Sequence, residues 1–201
     1  RYDPGWGWGN DDRLNSPREL GSPQIFGKKD DLKINFKDFD KLTSTLHKER
    51  IDIMYVHAYN PLPLQNDTKI SSKKMNEYCN MYSNWNTKPN DMGAWEKINF
   101  EYTKHWRKKG WKVKYYEIWN EPDLQPVFFI GSKEDYFEIY KYGVLGIKKA
   151  DTDALVGGPA ISFNKSWIEP FLDFVKKEEL PLDFFSFHIY GDPVNDIKEV
   201  R

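Results

Sequence analysis

The chain has 201 residues, and its 39% hydrophobic and 16% aromatic content is enough for one folded domain with a substantial core, which argues against disorder. Lys and Arg number 30 against 31 Asp and Glu, so the net charge of -1 gives no electrostatic reason to expect a nucleic-acid or anionic-membrane partner. Cys79 is the single cysteine, which excludes an internal disulfide framework and a cysteine-based zinc cluster. A neutral ligand is favoured.

The apolar and polar periodicity predicts strands alternating with helices along the whole chain. Apolar residues at helical spacing indicate four helices, and β-branched and aromatic runs indicate four strands. In chain order we predict a helix within 36–46, a strand over 50–57, a helix within 95–106 ending near Gly110, a strand over 113–119, a helix within 137–147, a strand over 154–156, a helix within 168–175 and a strand over 182–188. This alternation predicts an α/β protein with a parallel sheet and one domain.

The run from Tyr115 to Asp123 carries the clearest functional signal. An apolar β-type stretch ends there in an amide beside a carboxylate, Asn120-Glu121, followed by proline. Pro122 stops ladder pairing and predicts an extended backbone at Glu121. Ligands bind at the carboxyl ends of parallel strands, where Asn120 could bond a sugar hydroxyl. The pattern indicates an acid for sugar hydrolysis, with a solvated strand-end carboxylate as the alternative.

Other predicted strands also end in residues that a packed sheet would not choose. His57 ends the first predicted strand and His188 ends the last, with Tyr190 two residues later at the same strand parity, so we expect these side chains at one rim. For each histidine the alternative is a hydrogen-bonded packing residue. Gly157 and Gly158 either let the backbone approach a neighbour closely or form a turn with positive φ.

The amino-terminal loop places two indoles among glycines. Aromatic faces cover the apolar faces of sugar rings, so Trp6 and Trp8 are candidates for lining a subsite, with a cluster that anchors the loop as the alternative. No apolar run approaches the roughly 20 residues needed to span a bilayer, and the first residues contain no signal-peptide core. The glycosylation patterns at Asn66 and Asn164 are near chance frequency, so location stays open with an extracellular one favoured.

Several linked motifs resemble consecutive parts of a clan A glycoside hydrolase, and the most similar family is family 39, which contains β-xylosidases and α-L-iduronidases. The motifs are Glu117-Ile118-Trp119-Asn120-Glu121-Pro122-Asp123, Val156-Gly157-Gly158-Pro159-Ala160, the stretch from Trp167-Ile168 to Asp183, and Phe187-His188-Ile189-Tyr190. The resemblance covers about residues 33 to 192. It implies a (β/α)8 TIM barrel, present here as a partial barrel of about strands 2 to 6.

The resemblance also implies roles for individual residues. Glu121 matches the family's acid/base carboxylate, and Asn120 matches the residue that binds the sugar 2-hydroxyl. His188 and Tyr190 match the pair on the sixth strand beside the nucleophile, whereas His57 matches only by strand position. The resemblance implies no metal or organic cofactor, and it implies a carbohydrate substrate as the partner.

One departure from the family pattern concerns the nucleophile. The family's second glutamate lies on the seventh strand of the barrel, and this chain ends at Arg201, soon after what would be the sixth, so we expect a catalytic domain over residues 1–201 that is incomplete at both ends. Glu117 shares the parity of Glu121 one layer lower and is expected to be a buried structural charge. The predicted function is a retaining O-glycoside hydrolase. The alternatives are a non-catalytic carbohydrate-binding or degenerate barrel and another clan A endo-glycosidase.

Overall fold

The computed structural model describes residues 25–65, 85–111, 113–162 and 164–191. A short antiparallel hairpin comes first, and four parallel strands then alternate with helices. The elements in chain order are β1 (Ile25–Lys28), β2 (Asp31–Ile34), α1 (Lys37–Lys48), β3 (Ile53–His57), α2 (Met92–Lys109), β4 (Val113–Ile118), α3 (Lys133–Ala150), β5 (Leu155–Ile161), α4 (Ile168–Lys177) and β6 (Phe184–Phe187). Single 3-10 turns at Leu62–Leu64 and Lys165–Trp167 lie between β3 and α2 and before α4.

The four parallel strands form one sheet in the order β3-β4-β5-β6. His57 pairs with Ile118 at the carboxyl end of β3, and Ile161 pairs with Phe187 at the carboxyl end of β5, so all four strands end at the same edge. The predicted parallel alternation is therefore confirmed. Among the described residues, β3 and β6 each pair on one side only.

The boundaries of the two longest helices follow from specific caps. The Asp91 side chain accepts a hydrogen bond from the Ala94 amide at 2.9 Å at the start of α2, and Gly110 ends that helix with φ of 69°. Helix α3 starts with a capping box, in which Ser132 and Asp135 each accept a bond from the other's backbone amide. The end of α2 near Gly110 was predicted correctly.

The helices pack against one face of the sheet. The Tyr55 ring of β3 stacks on Trp106 of α2 with the ring centroids 3.9 Å apart, and Phe185 of β6 meets Phe171 of α4 at 6.4 Å. Residues of opposite parity lie on the other face, where Tyr115 and Phe184 make an edge contact at 6.1 Å. Tyr55, Trp106 and Phe171 are fully buried, and burial of such large aromatic side chains provides much of the core's hydrophobic stabilisation.

The structure corrects the predicted strands in two places. Strand β5 is longer than predicted and contains Gly157 and Gly158, which therefore lie inside a strand rather than past its end. A Cβ on Gly157 would lie 2.3 Å from the Phe184 carbonyl oxygen, and its φ is not positive, so close backbone approach is the correct alternative. The hairpin of β1 and β2 was not predicted, because two four-residue strands are shorter than the patterns that periodicity detects.

The described residues contain neither a membrane-spanning helix nor a cluster of metal-binding side chains. None of the described helices combines the length and apolarity that a membrane crossing requires. Nowhere in the described ranges do three or more His, Cys, Asp or Glu side chains cluster in a way that could hold a metal ion.

Candidate active site

Glu121 lies just beyond the carboxyl end of β4 and is almost completely buried, with 1% of its surface exposed. A buried carboxylate is stable only when hydrogen bonds replace its hydration. His188 Nδ1 lies 2.5 Å from Glu121 Oε1, and the Tyr190 hydroxyl donates a hydrogen bond to the same oxygen. The described residues make no hydrogen bond to the second oxygen, Oε2. The structure thus brings three of the predicted site residues together at one rim.

His188 and Tyr190 reach Glu121 from the end of β6, which is separated from β4 by β5 in the sheet. His188 follows β6, and its backbone amide donates to the Ile161 carbonyl at 2.7 Å, which continues the ladder with β5. An ionised carboxylate can only accept, so the protonated Nδ1 tautomer of His188 is assigned from this network. His188 Nε2 is buried and has no hydrogen-bond partner among the described residues. Tyr190 is 67% exposed, so its ring stands at the solvent side of the site.

The backbone around Glu121 occupies an unusual conformation. Trp119, Glu121 and Ala160 have φ of 70°, 48° and 55°, a region that costs a residue with a side chain about 1–2 kcal/mol. The extended geometry that Pro122 predicted for Glu121 is therefore wrong. Such conformations persist only where surrounding contacts hold them, and they cluster at functional sites.

Hydrogen bonds from three directions hold this backbone. The Tyr136 hydroxyl of α3 donates to the Ile118 carbonyl at 3.1 Å, and the Glu121 amide donates to the Ala160 carbonyl at 3.1 Å. Two residues beyond Glu121, the Asp123 carboxylate accepts bonds from two amides that follow β5. Sequence reasoning assigned no role to Asp123, and periodicity carries no signal for it because its partners lie 39 and 41 residues away.

Asn120 and Glu117 complete the carboxyl-terminal part of β4. Asn120, next to Glu121, retains 9% exposure, so the predicted sugar-binding amide lies beside the buried acid. Glu117 is 2% exposed and lies on the sheet face away from the helices, because its neighbours Tyr116 and Ile118 face them. The predicted burial of Glu117 is confirmed.

His57 lies elsewhere. Its side chain has no exposed surface, its Nδ1 lies 2.6 Å from Asn99 Oδ1 of α2, and its ring packs among Tyr102, Trp106 and Tyr116. Burial lowers the pKa of His57 from 6.5 to about 4, although the bond to Asn99 partly opposes the shift. The predicted rim position is therefore corrected: His57 occupies the layer between sheet and helix. This location fits the alternative of a hydrogen-bonded packing residue.

Trp6, Trp8 and Asn66 lie outside the described residues, so the predictions made for them stay predictions. Asn164 is exposed in the turn after β5, where its side-chain oxygen accepts from the Ser166 amide at 3.1 Å.

The fold and the site define a parallel α/β protein with a buried, hydrogen-bonded acid at the carboxyl edge of its sheet, which is where (β/α) barrels build active sites. Residues 75–196 match the family model of glycosyl hydrolases family 39. The chain belongs to glycosyl hydrolases family 39, as its motifs predicted.

Two β-xylosidases are similar to this chain in sequence. The one from Caldicellulosiruptor saccharolyticus is 37% identical over 108 residues, and the one from Geobacillus stearothermophilus is 31% identical over 109 residues. Each alignment covers 52% of this chain and 22% of the relative, so the chain matches less than a quarter of either enzyme.

Solved structures of the family share the fold. A GH39 β-xylosidase from Caulobacter crescentus superposes with a TM-score of 0.72 at 24% identity, over 88% of this chain and 39% of that one. A GH39 enzyme from Xanthomonas axonopodis pv. citri superposes with a TM-score of 0.69 at 24% identity, over 84% of this chain and 32% of that one. The four-stranded parallel sheet with its helices therefore has the fold of part of these enzymes.

Proposed function

We propose that this chain forms part of the catalytic barrel of a retaining O-glycoside hydrolase with Glu121 as its general acid and base. The observation that carries the proposal is the Glu121 carboxyl group, buried at the strand carboxyl ends and bonded through one oxygen to His188 and Tyr190. Family membership supports the same chemistry. The similarity to two β-xylosidases favours a β-xyloside substrate.

The geometry suggests how Glu121 would act. With Oε1 held by His188 and Tyr190, Oε2 is the atom that carries the proton to the departing glycosidic oxygen. The same oxygen then removes a proton from the water that hydrolyses the glycosyl intermediate. The Asn120 amide beside it would bind the sugar 2-hydroxyl, a contact that strengthens in the transition state of such enzymes.

A retaining mechanism also needs a nucleophile. The two carboxyl groups of a retaining glycosidase lie about 5–5.5 Å apart, on either side of the scissile bond. We propose that the attacking carboxylate belongs to a strand of a closed eight-stranded barrel other than the four described here. Glu117 is the first residue to suspect if the nucleophile lies within this chain, because it is a second buried carboxylate on the same strand, on the sheet face away from the helices.

The test is Glu121→Ala in the whole natural protein, assayed on alkyl and aryl β-xylosides. Loss of the acid should lower kcat/KM for alkyl xylosides about 1000-fold, because their leaving groups need a proton. Dinitrophenyl xyloside, whose leaving group departs unprotonated, should keep its first step. Exposed Glu169 on α4 supplies the control, since Glu169→Ala should change neither rate. NMR of the first-formed anomer checks retention of configuration.

Three outcomes would count against this function. If Glu121→Ala lowers kcat/KM equally for alkyl xylosides and for dinitrophenyl xyloside, the acid/base assignment of Glu121 is wrong. An inverted product would remove the retaining mechanism. A natural protein that binds xylo-oligosaccharides in calorimetry without hydrolysing any glycoside would be a carbohydrate-binding or degenerate barrel.

A further inference from the structure

The carboxylate of Asp123 ties together two loops that lie at the carboxyl edge of the sheet. Its Oδ1 accepts the Ser162 amide at 2.8 Å, and its Oδ2 accepts the Asn164 amide at 2.8 Å. Both oxygens of one charged group are therefore engaged by backbone donors from the loop after β5. Charge-assisted bonds of this length are among the stronger hydrogen bonds in proteins.

Glu121 also bonds to β5 through its own backbone amide, two residues before Asp123. The Glu121 amide is held by the Ala160 carbonyl of β5 at 3.1 Å, and Asp123 holds the chain two residues later against residues just past the same strand. Glu121 thus sits in a short segment fixed to β5 at both ends. Its φ of 48° and that of Ala160, 55°, need such fixing, because the chain does not favour positive φ with these side chains.

We infer that Asp123 is a positioning residue, which sets the direction of the Glu121 carboxyl group by fixing the backbone on which it is mounted. This inference rests on the proposed role of Glu121. His188 and Tyr190 hold the carboxyl oxygen itself, whereas Asp123 holds the main chain beneath it. Proton transfer is sensitive to geometry, so release of this segment acts on the step in which Glu121 delivers its proton.

The experiment compares Asp123→Asn with Asp183→Asn in the whole natural protein. Asp183 is a matched control because it also accepts a β5 backbone amide, that of Val156 at 2.9 Å, but at the amino end of the strand. Asp123→Asn should lower kcat/KM for alkyl β-xylosides about 100-fold, the size of effect that a misplacement of about 1 Å produces. For dinitrophenyl xyloside, kcat/KM should fall less than about threefold, because kcat/KM reports the first step alone and that leaving group needs no proton.

Asp183→Asn should lower the melting temperature without separating the two substrates. Asp123→Glu, which keeps the charge but lengthens the side chain, gives a second measurement if Asp123→Asn is poorly folded. The inference is overturned if neither Asp123 variant separates the substrates, or if both fail to fold while Asp183→Asn folds, since Asp123 would then serve stability alone. If Glu121→Ala also fails to separate the substrates, the proposed function fails instead.

Discussion

Two histidines at the carboxyl ends of parallel strands in one sheet occupy opposite environments. His57 ends β3 and lies between sheet and α2, enclosed by three aromatic rings and bonded to Asn99. His188 follows β6 and lies at the rim, bonded to the buried acid Glu121. The residue type is the same, yet the His57 ring is part of the packed core, whereas the His188 ring contacts the proposed catalytic acid.

The difference teaches that strand parity decides the role of a residue more than its chemical type does. Side chains at the end of a strand still alternate between the helix layer and the opposite face. Tyr55 and His57 share the parity that meets α2, as the Tyr55 stack on Trp106 shows. We therefore expect substitution of His57 to lower mainly stability and substitution of His188 to lower mainly activity.

The largest expected effect is on stability, from His57→Ala in the whole natural protein. Removing this fully buried ring leaves a cavity, and Asn99 Oδ1 loses its hydrogen bond to His57. Together these changes should lower the free energy of unfolding by about 3 kcal/mol. Urea denaturation measures this loss. The folded fraction should retain its kcat on β-xylosides. A loss of kcat as large as that of Glu121→Ala would contradict the packing role of His57.

His188→Ala should show the reverse pattern. Without the bond from Nδ1, Glu121 Oε1 loses a buried donor and its carboxyl group loses orientation, so kcat/KM should fall about 100-fold. The free energy of unfolding should change by less than in His57→Ala, because His188 lies at the edge of the packed core. Paired kinetic and denaturation measurements on the two variants test this; a larger stability loss for His188→Ala contradicts it.

The pH dependence of stability should identify His57 by its sign. The folded state resists protonation because the pKa of His57 is lowered to about 4, whereas the unfolded chain takes up that proton near 6.5. The stabilising contribution is thus complete above pH 6.5 and is lost as the pH falls toward 4, with a slope of at most about 1.4 kcal/mol per pH unit. Denaturation at a series of pH values measures the slope, and His57→Gln should remove this part of it.

Tyr190→Phe should give the smallest effect. The variant keeps the ring and removes only the hydroxyl that donates to Glu121, so kcat/KM should fall about fivefold, near the 1 kcal/mol of a typical hydrogen bond. Stability should change by less than about 0.5 kcal/mol, since the side chain is 67% exposed. Steady-state kinetics beside thermal melts check both numbers; an unchanged rate would show that His188 alone orients the acid.

The strand and helix order could be predicted from the sequence because each element has a clear period of its own. The helix that ends at Gly110 and the strand leading to Glu121 both carry strong local signals, apolar spacing and a stop residue. The hairpin β1–β2 has only Leu32 and Ile34 alternating with charged residues around a two-residue turn. That signal is visible once the pairing is known, but it is too short to identify a strand alone.

The site was predictable where residues follow the ends of parallel strands, and not where the face of a strand or a local backbone bond decides their position. Glu121, His188 and Tyr190 follow strand ends and were placed together correctly, since parallel strands end at one edge. The location of His57 depends on which face of β3 meets α2, a tertiary choice that the strand pattern leaves open. The backbone of Glu121 defied the local rule for a residue before proline, because bonds to β5 outweigh that preference.

The seam between β5 and β6 also constrains how this protein can vary. At Gly157 any side chain would meet the Phe184 carbonyl at 2.3 Å and its ring at 2.5 Å, and a backbone carbonyl cannot rotate aside as a side chain does. Every amino-acid substitution at Gly157 therefore forces the two strands apart. A deep mutational scan should find no tolerated substitution at this position. A library built to alter substrate preference should keep Gly157 and vary the loops at the carboxyl ends of the strands instead.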